Sequence, residues 1–408
     1  MNRAGTLIRE ATRRASLLLG LALVFVAGCV VSRTFLTVDN QRDALRAVSS
    51  MGVVAVGMTF VILTGGIDLS VGRMLGLCST IAAMLLMDRQ GSFASALGLA
   101  GLALGGVLVG LAVWSTSGGF LPGRLARGVA AVAIGVAAGA LAVAWGADQI
   151  STGFRLPGVL IAVPLVGMML GTVSGVTAAK GRMQPFIATL AMMIFCFGLA
   201  RIVAGKGGAV HSLGYGTEAA DPAFELLRQR LPLGFGRWRI DEMIPVPGIV
   251  FALTALIGHL VLSSHSAGRL VYAVGGNEEA ARLSGIRVDR VKIAVYAVSG
   301  LLAALAGVMD CAQYRQGKPD AGAGLELDAI AAVVIGGTSL MGGRGSVAGT
   351  VIGVLIFAYL NNILMLVGLP TDIQLVVKGL VIVLAVLAQE GQIARWTRGL
   401  GKMVRQRP

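Results

Sequence analysis

Charge is scarce in this 408-residue chain: 13% of the residues are Asp, Glu, Lys or Arg, against 56% hydrophobic. Soluble domains carry about 25% charged residues, so composition alone excludes an ordinary soluble domain. Cysteine is nearly absent. Cys29, Cys78, Cys196 and Cys311 stand singly in apolar surroundings, without metal spacing or a disulfide framework, and read as small core hydrophobes. His211, His259 and His265 are scattered and share no ligand spacing, so no metal site is expected. No G-x-x-x-x-G-K-[ST], H-E-x-x-H or G-x-S-x-G string occurs. ATP binding by a P-loop, zinc proteolysis and nucleophile-elbow catalysis therefore have no residues to stand on, and no cofactor is expected. The net charge is +14, but no basic face with interleaved aromatics accompanies it, which argues against nucleic acid as a partner.

Long apolar runs are abundant instead. A helix takes about 20 apolar residues to cross the hydrocarbon of a bilayer. Apolar runs occupy 16–32, 48–64, 69–87, 93–114, 128–146, 157–178, 185–204, 244–262, 291–310, 325–340, 347–367 and 373–387. They predict an all-α fold, a polytopic transmembrane helix bundle of about twelve spans. The 59 glycines suit such a bundle, because small residues let helices approach closely. The membrane domain covers 16–390, between a cytoplasmic segment at 1–15 and a basic cytoplasmic tail at 391–408.

Lys and Arg in short loops set orientation. Arg3, Arg9, Arg13 and Arg14 precede the first run and place the N-terminus inside. Counting crossings then puts inside Arg124 with Arg127, Lys180 with Arg182, the cluster Arg269, Arg282, Arg287, Arg290 and Lys292, Arg344, and the tail with Arg395, Arg398, Lys402, Arg405 and Arg407. Only an even number of spans satisfies every cluster; Arg33, Arg42 and Arg46 fall outside, against the rule. Two loops are long: 205–243 outside, marked by Asp221, Pro222, Pro232 and Trp238, and 263–290 inside, polar and amphipathic. Neither is large enough for an ATPase domain.

The start admits two readings. Arginines, an apolar run and Val26-Ala27-Gly28-Cys29 look like a lipoprotein signal, yet such strings arise by chance in Gly/Ala-rich spans. An uncleaved first span is expected. Intact mass of the purified protein should retain the residues before Cys29; a chain starting at Cys29 with added acyl mass would reverse this.

The sharpest local signal lies in the inner loop, where 275–285 reads GGNEEAARLSG. Asn277 is a good N-cap, Glu278 and Glu279 complement the helix dipole, and Arg282 lies four residues after Glu278 for pairing across one turn. Gly285 can close the helix in a left-handed cap. Within the segment from Gly275 through Ala280 to Gly285 the pattern predicts a short surface helix between spans, capped at Asn277 and closed at Gly285. It is either an ordinary interfacial helix or a docking element that carries a partner's motion into the bundle.

Charges at membrane depth are costly and face a cavity or a partner. Asp68 follows Gly65 and Gly66 and precedes Ser70. It either lines a break between half-helices or caps a span end near the interface. Asp328 is similar. Lys378 can neutralise Asp68 or Asp328, or snorkel. Asn361, Asn362 and Gln374 offer uncharged donors and acceptors that suit a sugar's hydroxyls, or equally hydrogen bonds between helices.

Four blocks, in order, carry a resemblance: GMTFVILTGGIDLSVG at 57–72, KGRMQPFIATLAMM at 180–193, GRLVYAVGGNEEAARLSGIRVDRVKI at 268–293 and ELDAIAAVVIGGTSLMGGRGS at 326–346, with shorter echoes in LNNIL at 360–364 and VVKG at 376–379. They resemble the ribose-type permeases of ABC importers over most of 35–387. The resemblance implies a homodimeric pore, or occasionally a paired one. It implies a separate ATPase subunit inside, expected to be of the tandem-domain kind, and a solute-binding protein outside, the whole seated in lipid at the bacterial inner membrane. The loop 263–290 becomes the ATPase-coupling loop, and the pathway candidates are Asp68, Ser70, Asp328, Asn361, Asn362, Gln374 and Lys378. One departure stands out: the family has about ten spans, and here two further apolar runs fall within 93–157, an even insertion that preserves orientation downstream. The rival readings are a secondary transporter relaying protons or ions through Asp68, Asp328 and Lys378, and a membrane enzyme, which the missing motifs disfavour.

Overall fold

The computed structural model describes residues 3–87, 156–205, 208–213 and 244–389, with 103, 224 and 227 as single positions. The runs expected at 93–114 and 128–146 with Arg124 and Arg127, most of the loop 205–243 and the tail 391–408 lie outside the described residues. The chain divides into two compact units, one of Met1–Ile67, Leu231–Val288 and Leu327–Pro408, the other of Asp68–Arg230 and Asp289–Glu326.

In the first unit, α1 (Arg3–Val31) packs against α11 (Val347–Leu366), and α2 (Val38–Leu63) packs against α11 and α6 (Val246–Ser264). The α2 helix is buried from Val48 to Leu63 without interruption, as an apolar helix enclosed by others must be. It starts ten residues before its apolar run, because Thr37 caps it by accepting from Asn40 N, and Asp39 in the first turn holds Arg42 at 2.7 Å. Inside, Thr59 on α2 and Thr350 on α11 share a hydroxyl hydrogen bond of 2.7 Å. The loop 263–290 supplies α7 (Ser266–Gly276) and α8 (Glu278–Leu283). Next come α10 (Leu325–Ile335), whose first two residues lie in the second unit, and α12 (Thr371–Gln389).

The second unit holds α3 (Val71–Met87), α4 (Leu156–Ala179), α5 (Pro185–Ala204) and, from Asp289 onward, α9 (Val288–Tyr314). A two-residue antiparallel ladder joins β1 (His211–Ser212) to β2 (Gln316–Gly317). The α3 helix packs against α4 and α5 and buries almost every residue from Val71 to Leu86. On α4, Gly167, Gly171 and Gly175 form a stripe at four-residue spacing that lies directly on α9; a Cβ at Gly171 would strike the carbonyl oxygen of Tyr296 and the backbone of Gly300. This is the close helix approach that the glycine content predicts.

Six described helices are long and apolar enough to cross a membrane: α2, α4, α5, α6, α9 and α11. The run at 325–340 is corrected. Its helix, α10, has 11 residues and stops at Gly336-Gly337, with Gly337 at φ +84°, although hydropathy continues past it. Such a helix is about 16 Å long, half a membrane.

Candidate functional site

The loop 263–290 has the local chemistry its sequence predicts. Asn277 Oδ1 accepts from Ala280 N at 2.9 Å and caps α8. Arg282 reaches Glu278 at 3.3 Å across one turn. Gly285 sits at φ +82°, and the bonds Gly285 N to Arg282 O and Ile286 N to Ala281 O, both 3.1 Å, close the helix. Only glycine takes that conformation without strain, so the termination is written in the residue. Glu278, Glu279 and Ala280 are exposed, and Leu283 is 84% exposed; Ala281 alone on α8 is buried. The helix begins after the Asn277 cap, as expected; Gly275 and Gly276 end a preceding helix, α7, and Asn277 is both its C-cap and the N-cap of α8. Tyr272 on α7 donates its hydroxyl to Gly345 O at 2.8 Å, a contact that reasoning from sequence did not anticipate.

Residues 64–70 between α2 and α3 are non-helical, and Asp68, the first residue of the second unit, is completely buried. The backbone N–H and hydroxyl of Ser70 donate to Asp68 Oδ1 at 3.0 and 2.6 Å, and the Ser299 hydroxyl donates to Oδ2 at 2.8 Å. Asp68 is therefore not exposed: its carboxylate is buried and ties the start of α3 to α9. Ser70 is fully buried too, with its hydroxyl committed to Asp68. Ser299, an isolated serine in an apolar span, was not singled out, since such serines commonly bond their own helix's carbonyls.

In the first unit, Lys378 Nζ lies 3.2 Å from Asp328 Oδ2, with both side chains about a quarter exposed or less. Of the partners open to Lys378, the structure brings Asp328. Asn362 on α11 exchanges two amide hydrogen bonds with Asn40 on α2, at 3.0 and 2.9 Å, an interhelical pair rather than a free sugar ligand. Asn40 was missed because it lies in the polar first turn of α2, outside the apolar run. Gln374, in the first turn of α12, donates to Leu369 O at 2.8 Å, a local bond at the start of that helix. Asn361 differs: its Oδ1 is buried without a hydrogen-bond partner among the described residues. No group of three or more His, Cys, Asp or Glu able to hold a metal occurs among the described residues.

The sequence profile of the family described as branched-chain amino acid transport system / permease component matches residues 125–386. The chain is similar to the ribose import permease protein of Escherichia coli strain K12, 37% identical over 370 residues that cover 91% of each chain. It is similar to the ribose import permease protein of Bacillus subtilis strain 168, 38% identical over 90% of each chain. It is also similar to the xylose transport system permease protein of Escherichia coli strain K12, 37% identical over 86% of this chain and 85% of that one. No solved structure matches it. A family profile over more than half the chain, relatives aligned nearly end to end and a helical architecture with several membrane-length spans agree. The chain belongs to the ribose-type permease family of ABC importers, as the multi-pass inner-membrane subunit of an assembly whose ATPase is a separate chain.

Proposed function

We propose that this chain forms the translocation path for a monosaccharide of the ribose class, receiving it from an external solute-binding protein and driven by an ATPase on the inner face. The observation that carries this reading is the near end-to-end similarity to ribose import permeases, at 37% identity. The chemistry agrees. A sugar is uncharged and rich in hydroxyls, and two pairs of the polar candidates are mutually neutralised or amide-bonded: Asp328 with Lys378, Asn362 with Asn40. Asn361 adds a buried acceptor without a hydrogen-bond partner among the described residues. A screen of monosaccharides by thermal shift on the partner solute-binding protein should give its largest stabilisation with ribose or a close pentose. Stabilisation by branched-chain amino acids alone would overturn the sugar reading.

The finer assignments belong to the same proposal. The membrane domain spans 16–390 with about twelve crossings, a family-like core of about ten plus a pair within 93–157. The 263–290 loop is cytoplasmic and meets the ATPase through α8, whose exposed Glu278, Glu279, Arg282 and Leu283 offer charge around one apolar side chain. The assembly is a homodimer of this subunit with a tandem-domain ATPase. Exposed apolar residues such as Leu253, Leu256, Ile257 and Leu260 on α6 suit lipid or the second copy. Asp68 and Ser70 hold the break before α3, and Asp328, Lys378, Asn361, Asn362 and Gln374 flank the path.

Orientation gives a direct prediction. In a background with the four native cysteines replaced, Thr217→Cys should react in intact cells with a membrane-impermeant maleimide. Ser284→Cys should react only after permeabilisation. Labelling of Ser284→Cys, but not Thr217→Cys, in intact cells would invert the topology.

A further inference from the structure

Two adjacent glycines, Gly275 and Gly276, end α7, and neither has a left-handed φ, so the backbone permits alanine at both. Their surroundings differ sharply. A Cβ at Gly276 would meet nothing within 4 Å. A Cβ at Gly275 would run into the carbonyl oxygen of Leu63 and lie 2.6 Å from Gly343 N and 2.8 Å from Leu63 C. Leu63 is the last residue of α2, where carbonyls have no partner within their own helix, and its oxygen accepts from Gly343 N at 2.9 Å. One turn before Gly275, Tyr272 ties α7 to the same glycine-rich stretch through Gly345 O. Three pieces of chain, the ends of α7 and α2 and the residues 343–345, thus meet largely backbone to backbone.

We propose that Gly275 is a positioning residue through which displacement of α8 reaches the end of α2. This rests on the reading of α8 as the ATPase-docking element. One residue, Asn277, separates α7 from α8 and caps both, so a translation of α8 pulls directly on the end of α7. A contact made of main chain has no rotamers with which to absorb that shift, so it passes to Leu63. From Leu63 the chain runs through Thr64, Gly65, Gly66 and Ile67 to Asp68, the buried anchor of the break before α3. A stroke at the ATPase face therefore reaches the end of α2 through main chain, and the residues that follow α2 lead along the chain to Asp68.

The test uses the complete importer, this chain with its ATPase and solute-binding protein, in proteoliposomes loaded with ATP. The readouts are ATPase retained on purification, ATP hydrolysed, and sugar taken up per ATP. Gly275→Ala should keep the ATPase and its hydrolysis while uptake per ATP falls about tenfold, within the range reached by mutations along a coupling element. Alanine favours a helix more than glycine does, so weakening of α7 itself cannot explain the loss. Gly276→Ala should behave as wild type. Tyr272→Phe adds no volume and removes one hydrogen bond; it should lower uptake per ATP about threefold and decides the matter if Gly275→Ala fails to assemble. Wild-type uptake per ATP in both Gly275→Ala and Tyr272→Phe would overturn the proposal. So would an equal loss in Gly276→Ala, or a loss of ATPase retention that accounts for the defect. Full ATPase retention after charge reversal at Glu278 and Glu279 would instead overturn the docking reading.

Discussion

Reversing two charges on α8, by Glu278→Lys with Glu279→Lys, is expected to abolish coupled uptake while the protein still inserts in the membrane. Within the chain the change is small. It replaces the exposed Glu278–Arg282 pair by two like charges and opposes the helix dipole, together about 1 kcal/mol at a solvated site. The Asn277 cap, the Gly285 termination and the buried Ala281 are untouched, so α8 keeps its shape. On the proposed docking reading the large effect falls on the partner, where a cationic groove facing the two carboxylates would meet two ammonium groups, and like-charge juxtaposition across an interface costs several kcal/mol. Uptake should fall to background, and the ATPase should co-purify poorly or hydrolyse without responding to loaded binding protein. Reversing Arg398 and Arg405 in the tail is the control and should change little. Full uptake with unchanged ATPase retention in the α8 variant would leave it an ordinary interfacial helix.

Removing the buried carboxylate of Asp68 should produce the second large effect. Asp68→Ala strands the Ser70 N–H, the Ser70 hydroxyl and the Ser299 hydroxyl, each a buried donor costing about 1–3 kcal/mol when left unmade. The link between the start of α3 and α9 is then lost. Uptake should disappear, and the detergent-solubilised protein should aggregate at a lower temperature by fluorescence-detected size exclusion. Asp68→Asn separates shape from charge. Its amide oxygen still accepts from Ser70, and its NH2 can donate to a Ser299 hydroxyl turned the other way. This variant should keep its thermal stability but transport more slowly. Normal uptake by Asp68→Ala at normal expression would remove Asp68 from the mechanism.

The features legible in the sequence are those with local causes. Asn277, Glu278, Arg282 and Gly285 act within one turn, and their cap, ion pair and left-handed termination follow from side-chain chemistry alone. Most described apolar runs became helices within a few residues of their expected ends, because length and hydropathy report directly on membrane crossing. What was hidden depends on residues distant in the chain. Tyr272 finds Gly345 73 positions away, Asp68 finds Ser299 at 231 and Asn40 finds Asn362 at 322. The helix α7 was missed because GRLVYAVGG carries three glycines, which read as loop; Val271 and Val274 are buried and Gly275 is seated on Leu63 by tertiary packing that no local propensity encodes. The early stop of α10 at Gly337 was overlooked for the opposite reason, since hydropathy weighed more than a glycine pair.

Energy source decides the central claim most directly. The chain is to be reconstituted in proteoliposomes with its ATPase, with ATP on the ATPase side and ribose-loaded binding protein on the other. Radiolabelled ribose should accumulate only when ATP, the ATPase and the binding protein are all present, and collapse of proton and sodium gradients should leave the rate unchanged. Accumulation by this chain alone, driven by an imposed ion gradient without ATP, would contradict the account and restore the ion-coupled reading of Asp68, Asp328 and Lys378.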